Sequence, residues 1–79
     1  MKIEKRKRKV FTFHSSTDVT IFRRYCEEKN LPGRIIPVPR SISSSCGSSW
    51  MIDYEEYDNF ISEINKSDMK YENIYDVML

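Results

Sequence analysis

At 79 residues the chain is one small domain, near the lower limit of what folds on a single hydrophobic core. Its mean hydropathy of −0.61 and the absence of a long apolar run exclude a membrane-spanning helix, and the basic N-terminus is not followed by the apolar stretch of a signal peptide. The net charge of +1 is unevenly spread: six of the 13 basic residues lie in 2–9, leaving 7 basic against 11 acidic residues, a net −4, in 10–79.

Residues 1–8 read as a basic tail and 9–79 as the folded domain. A basic block of this kind attracts nucleic acid or an acidic protein surface, but no aromatic residues are interleaved for base stacking, so it reads as a solvated extension. The first strand is expected over 9–14, with Phe11 and Phe13 on one face by period two. Ser15, Ser16, Thr17 and Asp18 form a helix start, and the first helix runs to about Asn30. Val19, Phe22, Tyr25 and Cys26 line its apolar stripe, which makes Cys26 a small core residue. Leu31, Pro32 and Gly33 stop that helix.

A second strand is expected over 33–39. Pro37 and Pro39 cannot donate to a ladder, so it belongs at a sheet edge. The run from Ser41 to Gly47 offers hydroxyls and a glycine but little to bury. It reads as a loop that presents a group, and the group that reacts is the Cys46 thiol. A third strand over 48–52 puts Trp50 and Ile52 on one face and Met51 on the other. Asp53 and Glu56 have the spacing of a capping box for the second helix, whose stripe is Tyr57, Phe60, Ile61 and Ile64. A fourth strand over 72–79 aligns Tyr75, Val77 and Leu79.

The order β-α-β-β-α-β predicts an α+β fold: a ferredoxin-like split βαβ plait, with a four-stranded antiparallel sheet in the order 4-1-3-2 and both helices on one face. In that topology the Cys46 loop, Arg40, His14 at the exit of the first strand and the first turn of the first helix meet at one end of the sheet. A helix N-terminus and a cation both favour a thiolate over a thiol. Two cysteines and one histidine make no four-ligand zinc set, and there is no glycine-rich phosphate loop, so neither metal nor cofactor is expected.

Several of these motifs together are similar to one family. Thr12-Phe13-His14-Ser15, Leu31-Pro32-Gly33-Arg34, Ile36-Pro37-Val38-Pro39-Arg40, Ile42-Ser43 with Ser45-Cys46-Gly47, and Tyr71-Glu72 with Ile74-Tyr75 resemble the small selenium/sulfur carrier-like proteins. The sequence departs from the family pattern at Ser48-Ser49-Trp50 and in its basic tail. The lack of a membrane span or signal peptide leads us to expect a cytoplasmic protein, and the resemblance implies a carrier rather than a stand-alone enzyme. Cys46 would take sulfane sulfur or selenium as a persulfide from a cysteine desulfurase-like donor and pass it to an acceptor enzyme. The Ser43, Ser44 and Ser45 hydroxyls and the Gly47 N–H would hydrogen-bond the terminal anion. The competing reading is a non-covalent interaction module, in which an edge strand pairs with another protein or with a second copy.

Overall fold

A computed structural model describes residues 6–42 and 46–79. The elements follow the expected order: β1 (Lys7–Thr12), α1 (Ser16–Glu28), β2 (Arg34–Pro37), β3 (Ser48–Asp53), a 3-10 turn (Tyr54–Glu56), α2 (Tyr57–Ser67) and β4 (Asn73–Met78). The four strands form one antiparallel sheet in the order β2-β3-β1-β4, which from the other edge reads β4-β1-β3-β2. The fold is therefore α+β, with β1 and β3 in the centre and β2 and β4 at the edges.

Period-two alternation divides the sheet into two apolar faces. Phe11, Phe13, Trp50 and Ile52 belong to a cluster with Val19, Phe22 and Cys26 of α1 and Phe60 and Ile64 of α2, so both helices cover the same face. Aromatic rings knit this core: Phe11 lies 5.6 Å from Phe22, 5.3 Å from Phe60 and 5.3 Å from Tyr71. Such pairs add about 0.5–1.5 kcal/mol each beyond the area they bury. The Tyr25 hydroxyl donates to the Glu63 carbonyl at 3.4 Å and ties α1 to α2. On the opposite face Val10 and Met51 are buried under Ile42, with Ile36, Val38, Tyr75 and Val77 packed around them. The segment that follows β2 thus covers the face the helices leave open.

The helix ends differ from each other. Ser15 caps α1, its hydroxyl accepting from the Asp18 N–H at 3.3 Å, as expected. The capping box expected at Asp53 and Glu56 does not form: neither side chain makes a capping hydrogen bond, and α2 begins only at Tyr57. The register opposes Asp53 to Arg8, and its carboxylate pairs with that guanidinium instead. An ionised partner outcompetes a neutral N–H for the carboxylate.

The start of β1 also differs from expectation. The strand begins at Lys7 and takes in Arg8, so the end of the basic run is sheet rather than tail. Lys9 pairs with Asp76, whose hydrogen bond raises the lysine above its ordinary value, and it also lies 4.4 Å from the Tyr57 ring centroid. Lys7 sits 4.3 Å over Tyr54. Gly33 is required where it stands: its φ is +115°, and a Cβ there would lie 2.7 Å from Ile52 Cγ2 and against the Trp50 indole nitrogen.

Candidate functional site around Cys46

The β2–β3 connection starts on the open face, where Ile42 packs, and returns to the helix face, where Cys46 joins the core that contains Trp50. The return brings the Cys46 sulfur to the first turn of α1. The Ser48 N–H donates to Cys46 Sγ at 3.5 Å, and Ser16 Oγ lies 3.9 Å from it. Ser15 occupies the cap, so the Ser16 hydroxyl is left to face the sulfur. The Thr20 hydroxyl donates to the Ser16 carbonyl at 3.0 Å and fixes that turn.

This arrangement matches one expectation and corrects another. The Cys46 loop and the start of α1 do meet at the same end of the sheet. The thiol is not held out in solvent, however: Cys46 is 6% exposed and packs as part of the core. The physical reason is the crossing of the connection from one face to the other, which carries a small, easily buried residue inward.

The other predicted site residues fall as follows. Gly47 is exposed, adjoins Cys46 and accepts from the Val38 N–H at 3.1 Å. Among the described residues, no atom outside its chain neighbours lies within 4 Å of where a Gly47 Cβ would be. Arg40 lies exposed in the turn after β2. His14 is two-thirds exposed, and its Nδ1 lies 3.3 Å from Glu72 Oε2. A cleft of about 560 Å3 beside His14 is lined also by Asp18, Asp68, Met69 and Tyr71, and Cys46 is not among its walls. Ser43, Ser44 and Ser45 lie outside the described residues. Ser16 and Ser48, which do touch the sulfur, were not picked out as site residues from the sequence. The available signal was the doubled serine at the helix start, where only one hydroxyl can serve as the cap.

Cys26 has a different environment. It is 1% exposed, ten residues beyond Ser16 and therefore about 15 Å further along α1. Burial, with the Glu27 charge adding to it, pushes its thiol up to about 12. Both cysteines are free thiols. Among the described residues no group of His, Cys, Asp and Glu could hold a metal ion, and no helix is long and apolar enough to cross a membrane.

The fold and this site define a class: a small α+β domain with a single cysteine seated at a helix N-terminus. Residues 8–76 match the family described as "Putative Se/S carrier protein-like", and the chain belongs to that family. Neither the curated proteins nor the solved structures give a match.

Proposed function

We propose that this α+β domain, in the ferredoxin-like arrangement its element order predicts, carries sulfane sulfur or selenium on Cys46. The supporting observation is the seat of the sulfur, with the Ser48 N–H at 3.5 Å and the Ser16 hydroxyl at 3.9 Å. Those two donors suit an anionic sulfur, whether the thiolate or the persulfide built on it. Membership of the family supplies the class of cargo.

In the loading step the Cys46 thiolate attacks the terminal sulfur of a donor enzyme's cysteine persulfide. The donor's S–S bond breaks, its cysteine leaves as a thiolate, and a persulfide forms on Cys46 with no net oxidation or reduction. With a selenopersulfide the same exchange breaks the donor's S–Se bond and leaves selenium on Cys46. Delivery reverses the step: a thiolate of the acceptor enzyme takes the terminal atom and Cys46 leaves as a thiolate. A cysteine desulfurase-like enzyme is the donor this chemistry requires.

The small exposure of Cys46 gives the carrier a second property. A donor must part the residues over the sulfur before transfer, so the cargo is screened from water and stray thiols between enzymes. Gly47, exposed beside Cys46, would let a donor's backbone come close, and Arg40, exposed in the turn after β2, is a cation in the same connection. Ser43 and Ser45 add hydroxyls next to Cys46 in the sequence, and His14 stands at the same end of the sheet.

The test is loading by a cysteine desulfurase supplied with cysteine or selenocysteine, followed by peptide mass spectrometry. The added atom is expected on Cys46. Cys46→Ser should abolish loading, whereas Cys26→Ser should retain it and change mainly stability. Persulfide mapped to Cys26 alone would sink the proposal.

A further inference from the structure

The two edges of the sheet differ in what they offer a further strand. Val38 donates to the Gly47 carbonyl at 3.1 Å, which makes that a hydrogen-bonded pair of the β2–β3 ladder. By alternation the peptide groups of Ile35 and Pro37 then point away from the sheet. Pro37 has no N–H, so Ile35 is the only donor that β2 presents within the strand. Proline at an edge is a known way to block further pairing.

The β4 edge has no such block. Arg6 and Leu79 exchange both hydrogen bonds, at 2.9 Å and 3.0 Å, which fixes the parity of the β1–β4 ladder. The peptide groups of Ile74, Asp76 and Met78 therefore point outward, three donors and three acceptors with no proline among them. Two large apolar side chains sit at this end of the strand, Met78 at 56% and Leu79 at 41% exposure. Asp76 is the one charged residue of this strand, and it pairs with Lys9.

We propose that β4 is a self-association edge, where two copies of the chain pair antiparallel about a two-fold axis at Val77 to make one eight-stranded sheet. The occupant follows from self-complementarity. A two-fold at Val77 sets Val77 against its own copy and Tyr75 against Leu79, a wholly apolar ladder on the face away from the helices. On the helix face it sets Asp76 against Met78, so no like charges meet. These Asp76–Met78 pairs are the outward-pointing ones, so they exchange the interface hydrogen bonds. A two-fold one residue earlier would set Asp76 against Asp76, which like-charge repulsion disfavours. The interface is isologous, as closed dimers require.

The test is sedimentation equilibrium of the full chain, with thiols kept reduced, from micromolar to millimolar concentration. A concentration-dependent dimer is expected. Met78→Glu, which faces Asp76 of the other copy, should raise the dissociation constant by about tenfold through its two equivalent pairs. Met78→Lys should lower it by about threefold through the same pairs. Met78 is an exposed edge residue, so neither variant threatens the core. Val77→Cys gives a second readout: the residue faces itself at a non-hydrogen-bonded position, close enough for an intermolecular disulfide on oxidation. A monomer at all concentrations would overturn the proposal. So would equal responses to Glu and Lys at position 78, or a dimer broken by Ile35→Glu and untouched at Met78.

Discussion

At Cys26 burial strips water from the sulfur and Glu27 adds a like charge, so the folded protein holds that proton to about 12, against an ordinary value of 9.0. In the window between those values unfolding releases a proton that the native state retains. Stability contributed by this group is therefore complete below about pH 9 and falls as pH rises, at about 1.4 kcal/mol per unit. Cys26→Ala removes the titrating group and leaves a small cavity. In urea denaturation the advantage of the native sequence over Cys26→Ala should shrink from pH 9 upward. A constant difference to pH 11 would show that the thiol does not titrate in this way. At Cys46 the same core brings polar groups to the sulfur, the Ser48 N–H, which donates to it, and the Ser16 hydroxyl at 3.9 Å, and these distinguish its environment from that of Cys26. The sequence separated them too, since Cys26 lies on a helical stripe and Cys46 in a serine-rich connection.

At the level of the elements, the helix starts show which local signals survive folding. Ser15 caps α1, so Ser15→Ala should cost about 1 kcal/mol. In a domain of this size that lowers the thermal midpoint by about 4–8 °C, readable by circular dichroism. Asp53 has the same local credentials, yet the register brings Arg8 opposite it, and the guanidinium takes the carboxylate. A capping box is legible over four residues. The competing cation is 45 positions away in the chain, so no local reading contains it. The edge position of β2 was legible because proline constrains the backbone wherever it sits. Which peptide groups of β4 point outward required the ladder parity, which depends on how β1 and β4 align.

Across the whole molecule the split between a basic start and an acidic body is partly an internal arrangement. Arg8 meets Asp53, Lys9 meets Asp76, and Lys7 and Lys9 lie over Tyr54 and Tyr57. β1 is central, with β3 on one side and β4 on the other, so its first residues hold the sheet together. Deleting residues 6–9 should therefore abolish cooperative thermal unfolding, followed by circular dichroism. A deletion variant with an unchanged melt would show these residues to be a dispensable tail. Neutralising substitutions, rather than truncation, are the right means of asking whether the basic run binds a polyanion.

Sequence alone determined the element types and their order, because apolar period, proline and glycine stops and the Ser15 cap act over a few residues each. It also marked Cys46 as the cysteine outside the helical pattern. The tertiary structure decided how deep that sulfur lies, which hydroxyl and N–H reach it, where the Asp53 carboxylate goes and which strands form the edges. Each of those outcomes is set by segments distant in the chain meeting at a particular register, and hydrogen bonding and burial depend on that meeting.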